Sequence, residues 1–242
     1  MTAFPVHVLV TGTSTGVGKT IATAGYAAAL ASAGWRVVVV KPVQTGADGS
    51  EPSDAETIRR LTGLPGVYEL ASLPDPLAPD TAARVRGLST PTVAMLADRV
   101  TARAGDADFV LVEGAGGVLV RLDTEGGTLI DLGRALVKAG RPVVVVVVTT
   151  LALGTLNHTE LTVQAIRSAG LRVAGLVFGS MPSEPDLAAA CNESELTRVT
   201  GLPLLAGIPA GAADLSPVGF RAAATSWFAT LIRDHGAPPA QR

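Results

Sequence analysis

The sequence predicts an α/β protein, a doubly wound and mostly parallel sheet with helices on both faces, and three observations predict it. β-Branched runs alternate with Ala-rich helical stretches almost from end to end. Hydrophobic residues make up 48% of the 242 and aromatics only 4%, so the core has to be built from Val, Leu, Ile and Ala, as suits parallel strands covered on both sides. The all-valine run Val143–Val148 is far too short for a bilayer span of roughly 20 residues and reads as a fully buried strand.

In chain order, Val6–Thr11 reads as the first strand and Lys19–Ala33 as a helix ending at Gly34. Arg36–Lys41 is the second strand, and Ser53–Leu61 a helix with Gly63 where a stop is expected. Leu70–Pro79, with Pro74, Pro76 and Pro79 and with Pro65 nearby, reads as loop. Pro91–Arg103 is a helix with Pro91 in its first turn. Phe109–Glu113 is a strand followed by the Gly-rich turn Gly114–Gly117. Leu129–Ala139 is a helix, Pro142–Thr149 a strand and Asn157–Ala169 a helix. Arg172–Phe178 is a strand, Pro185–Thr200 a helix, Leu204–Ala206 a short strand and Ser216–Asp234 the last helix. Without repeats or a linker, residues 1–242 read as one domain with a frayed tail, His235–Arg242.

The formal net charge is −2 and the basic residues are scattered, so no general affinity for nucleic acid is expected. Ser216–Asp234 carries only Arg221 and Arg233, which argues against a basic membrane-binding helix. The single cysteine, Cys191, excludes an internal disulfide and a cysteine-built zinc site; it reads as a small buried or half-buried thiol. Val6–Val10 is reached without a basic n-region, so no signal peptide is expected and a cytoplasmic location is.

Four signals carry chemistry, each at the carboxyl end of a strand, where ligands of such sheets bind. Gly12-Thr-Ser-Thr-Gly-Val-Gly-Lys-Thr20 follows a strand and opens a helix, the context of a phosphate-binding loop. Its glycines let successive amides turn inward onto phosphate oxygens. Lys19 would reach the β- and γ-phosphates and Thr20 would offer its hydroxyl to Mg²⁺. The spacing from Gly12 to Gly18 is one residue longer than usual, and no third glycine completes a dinucleotide fingerprint, since Ile21 stands there. Lys41-Pro-Val-Gln-Thr45 puts a lysine either into the crevice or merely at the end of a strand in solvent; the tight turn with Pro42 and Thr45 favours the crevice. Glu113-Gly-Ala-Gly-Gly117 puts a carboxylate after apolar strand residues, as for a magnesium ligand. Asp54 is a candidate second carboxylate, with a helix-dipole role as its rival and with Asp48 and Glu51 as competitors. Leu153-Gly-Thr-Leu-Asn-His158 opens a helix, where Thr155 or Asn157 could cap or Asn157 and free amides could hold an anion. His158 reads as structural more readily than as an acid or base.

Together the four motifs resemble the dethiobiotin synthetase family, from about Val8 to at least Gly179; that family's phosphate loop has the same extra residue. The resemblance implies a seven-stranded P-loop NTPase sheet in a homodimer. It also implies a reaction of 7,8-diaminononanoate with CO₂ and ATP giving dethiobiotin, ADP and phosphate, a step of biotin synthesis. Thr15 and Lys41 would contact the carbamate and the γ-phosphate, and with Lys19 they form the implied catalytic set. Gly16, Val17, Gly18, Lys19 and Thr20 would hold the nucleotide phosphates. Thr20, Asp54 and Glu113 would bind Mg²⁺. Thr45, Glu113 and Gly116 would face the diamine, and Leu153, Gly154 and Asn157 of the partner subunit would take its far carboxylate. No covalent intermediate on the protein is implied.

The sequence departs from the family at the base. Where many members carry an adenine-reading asparagine, this chain has Gly179-Ser180-Met181-Pro182, and Asn192 lies well into the next helix. Gly179 and the loop of Pro209, Ala210, Gly211 and Ala212 are left to contact the base through backbone groups, which predicts weak preference for ATP over other nucleoside triphosphates. Three other readings compete. A cobyrinate-type amidoligase would need a glutaminase domain with a nucleophilic cysteine, for which the chain is too short. A partitioning or division-site switch ATPase would carry a second lysine early in the phosphate loop, where only Lys19 is found. A nucleotide-binding regulator without chemistry would have no need of both Lys41 and Glu113 at strand ends.

Overall fold

A computed structural model describes residues 5–47, 49, 51–236 and 238. Seven strands, β1 (Val6–Gly12), β2 (Val37–Lys41), β3 (Val67–Glu69), β4 (Phe109–Gly117), β5 (Val143–Thr149), β6 (Val173–Met181) and β7 (Leu204–Pro209), form one sheet in the order β3-β2-β4-β1-β5-β6-β7. Every pairing between these strands is parallel. The central strand β1 runs in register with β4 on one side and β5 on the other, so all carboxyl ends open at one rim.

The nine helices among the described residues are α1 (Lys19–Ser32), α2 (Asp54–Thr62), α3 (Pro79–Arg86), α4 (Val93–Ala104), α5 (Leu129–Lys138), α6 (Thr155–Ser168), α7 (Leu187–Thr200), α8 (Pro217–Trp227) and α9 (Ala229–His235). The two-residue period of the strands sorts them into two cores. Val8 and Val10 of β1, Leu111 of β4 and Val146 and Val148 of β5 face α1, α2, α8 and α9. Leu9, Val110, Val112, Val145 and Val147 face α4, α5, α6 and α7. That alternation follows from side chains pointing to opposite faces along a strand. Truncating a side chain as buried as Leu9, 1% exposed, would cost about 2–5 kcal/mol.

Several boundaries differ from the expectation. β3 and α3 were not expected. Pro79 opens α3 at its first helical position, which proline tolerates because that amide has no intrahelical acceptor. Pro91 lies outside α4, whose N-cap is Thr92 accepting from the Met95 amide at 3.4 Å. β4 runs through the expected turn Gly114–Gly117, because Gly12 of β1 pairs with Gly117 beyond a register shift. α6 begins at Thr155 rather than Asn157, and β6 continues to Met181, which pairs with Pro209. The last helix divides at Phe228, whose ring is fully buried and stacked 5.4 Å from Tyr26. His235, placed in the expected frayed tail, closes α9, and its Nε2 lies 2.8 Å from the Tyr26 hydroxyl; residues 237 and 239–242 of that tail lie outside the described ones. Cys191 is exposed rather than buried, because α7 turns Ala189, Asn192 and Leu196 inward. Among the described residues no helix is long and apolar enough to cross a membrane.

Candidate active site at the strand carboxyl ends

The loop from β1 to α1 curls against the end of β6. A side chain on Gly18, which has φ 90°, would come within 2.5 Å of the Gly179 carbonyl oxygen, and one on Gly179 would overlap the Val17 carbonyl. Glycine at both places lets two backbones touch. Val17 itself packs into the core, 5% exposed. Lys19 folds back across the loop, its Nζ donating to the Ser14 carbonyl at 2.9 Å.

Beside it stands a buried charge cluster. Lys41, from the end of β2, donates to Glu113 Oε1 and to the Gly114 carbonyl, both at 3.1 Å. Its Nζ also lies 2.5 Å from Asp54 Oδ2. The Thr20 hydroxyl hydrogen is shared between Asp54 Oδ1 at 2.8 Å and Glu113 Oε1 at 3.0 Å. Lys41 is 4% exposed and Glu113 not at all. Burial pulls the Lys41 ammonium toward neutrality, but Glu113 and Asp54 outweigh it and hold its pKa above the ordinary value. Burial pushes Asp54 up, and Lys41 outweighs that and leaves it below the usual carboxylate range. Glu113 is raised, by burial first and then by Asp54, against the pull of Lys41. Lys19 is lowered by burial and by Lys41, partly offset by Glu113 and Asp54. The shifts of Lys41 and Asp54 thus favour their charged forms, a pair of opposite signs in a largely buried site where such charges interact strongly.

Of the three acids weighed for the second carboxylate, Asp54 stands against Thr20. Glu51 is exposed and Asp48 lies outside the described residues. Asp54 is not needed to cap α2, because Ser53 and Glu56 form a capping box there. Thr20, Asp54 and Glu113 offer hard oxygen donors, and Glu113 Oε2 is buried without a hydrogen-bond partner; an unpartnered buried acceptor among such donors suits a magnesium ion.

One cavity of about 760 Å³ gathers Thr15, Gly16, Gly18, Lys19, Thr20, Lys41, Thr45, Asp54, Glu113 and Gly116. Sequence reasoning missed Gln44, whose Oε1 accepts from the Asp54 amide at 3.2 Å, although it sits inside the motif around Lys41. It also missed the wall of Pro76, Leu77, Ala78, Pro79 and Val120, for which prolines were the sole signal. Pro209 ends β7, and Ala210, Gly211 and Ala212 follow it, tied to β6 by the Ala210 amide donating to the Met181 carbonyl at 2.8 Å. Leu153, Gly154 and Asn157 are absent from this cavity's lining and stand exposed at the start of α6, with Leu153 90% exposed. His158 is exposed beside them.

A glycine-rich loop between the central strand and its helix, with a lysine, a threonine and a strand-end carboxylate around it, defines a P-loop nucleotide-binding protein. Residues 7–216 match the family model described as an AAA domain. The chain is 51% identical over 220 residues to the ATP-dependent dethiobiotin synthetase BioD of Rhodococcus jostii strain RHA1, covering 91% of this chain and 93% of that one. It is 50% identical over 221 residues to the protein of the same name from Streptomyces coelicolor, covering 91% of each. The chain belongs to the dethiobiotin synthetase family. Among solved structures it resembles the septum site-determining protein MinD of Pyrococcus horikoshii in complex with Mg-ADP, with TM-score 0.62 and 19% identity over 96% of each chain. It also resembles Cyanothece McdA, with TM-score 0.61 and 12% identity over 99% of this chain and 100% of that one. At such identities the likeness is one of fold.

Proposed function

We propose that this chain is an ATP-dependent ligase of biotin synthesis that forms dethiobiotin from 7,8-diaminononanoate and CO₂. The observation that carries the reading is the Lys41 ammonium held between Glu113 and Asp54 beside the phosphate loop, in a chain about half identical to two named synthetases. One amine of the substrate takes up CO₂ and loses a proton, giving a carbamate. A carbamate oxygen attacks the γ-phosphorus and ADP departs. The second amine attacks the carbon of the resulting carbamic-phosphoric anhydride and loses a proton, closing the ring and expelling phosphate.

Such a sequence asks for positioning and charge neutralisation rather than a protein nucleophile. Lys19 and the amides of Gly16–Thr20 hold the phosphates; Lys41 and Thr15 meet the carbamate and the γ-phosphate. Thr45 and Gly116 line the diamine's place, with Glu113 at its edge, and the apolar wall of Val43, Leu77 and Val120 suits a hydrocarbon chain. Thr20, Asp54 and Glu113 would hold Mg²⁺, which offsets charge on the phosphates when bound. Gly179 and Pro209–Ala212 would line the base. Residues 1–242 form one domain in this reading and the enzyme works in the cytoplasm. It forms a homodimer in which the partner's α6 start supplies Leu153, Gly154 and Asn157; exposed Leu153, Leu161 and Leu187 on α6 and α7 and the turn before them support such a contact. The test is phosphate release from ATP with Mg²⁺ and bicarbonate, with and without 7,8-diaminononanoate, with the product identified by mass. Release that ignores the diamine would sink the substrate assignment and favour a switch ATPase on this scaffold.

A further inference from the structure

Asn192 belongs to none of the motifs, yet it is a buried polar side chain, 7% exposed, in the middle of α7. Its Nδ2 donates to the carbonyls of Leu151 at 2.9 Å and Ala152 at 3.3 Å. Both partners are acceptors, which fixes the amide with its NH₂ toward them. They lie in the turn from β5 to α6. A threonine cluster grips the same turn from within: Thr149 Oγ1 is 2.8 Å from both Thr155 Oγ1 and Thr159 Oγ1, and Thr155 donates to the Thr150 carbonyl at 2.8 Å. The Thr155 amide donates to the Ala152 carbonyl at 3.1 Å.

The turn is thus clamped on its inner side and open on its outer side. The helical ladder of α6 starts with the His158 amide donating to the Gly154 carbonyl at 3.2 Å, so the amides before it are not engaged by the helix. Leu153, Gly154 and Asn157 all face outward. A recognition edge gains affinity when its backbone is fixed before the ligand arrives.

We infer that Asn192 is a positioning residue for the diamine substrate, acting through the Leu151–Gly154 turn on the substrate's far carboxylate. The inference rests on the reading above, in which that turn and Asn157 meet the carboxylate. Removing the amide leaves the Leu151 carbonyl without this donor and the Ala152 carbonyl with the Thr155 amide, which loosens the turn, while the phosphate loop, held by β1 and β6, is untouched.

The experiment measures diamine-dependent phosphate release for Asn192→Ala, Asn192→Ser and Asn157→Ala. The substrates are 7,8-diaminononanoate and its carboxylate-free analogue 2,3-diaminononane. Asn192→Ala is expected to raise KM for the diamino acid about tenfold, the loss of about one charge-assisted hydrogen bond. KM for ATP, KM for 2,3-diaminononane and kcat should stay within about twofold on the same argument. Asn192→Ser, which keeps a donor, should lie between wild type and alanine, and it serves if the alanine variant does not fold. Equal rises for both diamines, or none, overturn the inference, because a merely structural role cannot tell a carboxylate from a methyl group. If Asn157→Ala raises KM for the diamino acid and the Asn192 variants do not, only this inference falls. If Asn157→Ala also leaves it unchanged, the carboxylate reading of the turn falls as well.

Discussion

The rim of the sheet has two halves built on opposite plans. On the β2–β4–β1 side, Lys41, Asp54, Glu113 and Thr20 bond to one another in a crevice that buries Lys41 and Glu113 almost completely. On the β5 side, the polar groups that fix the turn point inward, and the residues it displays, Leu153 above all, face solvent. A charge cluster that acts on phosphate profits from low dielectric and from partners already in place. A recognition edge has to remain reachable. In the proposed reading, phosphate chemistry stays within one chain and the second half meets its ligand from outside.

The largest break in that contrast should come from Lys41→Ala. Diamine-dependent phosphate release should fall at least ~100-fold, as when a donor at a developing charge is removed. Glu113 and Asp54 would lose their cation, so the melting temperature should also drop, by on the order of 10 °C for a loss of about 3–5 kcal/mol; circular dichroism would check that the fold persists. On the other half, Asn157→Ala should raise KM for the diamine about tenfold and leave KM for ATP unchanged, as initial-rate measurements with each substrate varied would show. An equal effect on both constants would erase the division between the halves.

Smaller still is the discrimination among bases. Residues 179–181 and 209–212 offer no asparagine, so competition between ATP and other nucleoside triphosphates should show preference within about tenfold, far below what a site built to bond one group achieves. Strong selection of ATP would refute this. The smallest effect lies at the far end of β1, away from the rim. Burial lowers the pKa of His7, with Arg141 adding to it and the Pro5 and Pro142 carbonyls opposing. A base lowered in the folded state binds its proton more readily when unfolded, so its contribution is intact above about pH 6.5 and lost as pH falls through the folded value. The slope of melting temperature against pH below 6.5 should flatten in His7→Asn.

Much of this was legible in the chain. The seven-residue strand β1 and the phosphate loop after it were readable because alternation, glycines and Lys19-Thr20 all point the same way. Lys41 and Glu113 were readable as strand ends, but not as partners 72 residues apart. Asp54 could not be separated from Asp48 and Glu51 by spacing, since only folding brings its carboxylate to Thr20. Short elements escaped for a related reason. β3 has three residues and owes its pairing to β2, and α3 hides behind prolines that read as loop.

By itself the sequence determined the fold class, because periodicity, composition and local glycine chemistry depend on neighbours within a few residues, and its four motifs carried the resemblance to the family. The tertiary structure alone decided which acid joins Thr20, why Gly179 admits no side chain, and that Asn192 reaches 41 residues back to hold Leu151. The physical reason is the same in each case. Hydrogen bonds, ion pairs and close backbone contacts fall off within a few ångströms, and only packing of the parallel strands brings residues far apart in the chain to that distance.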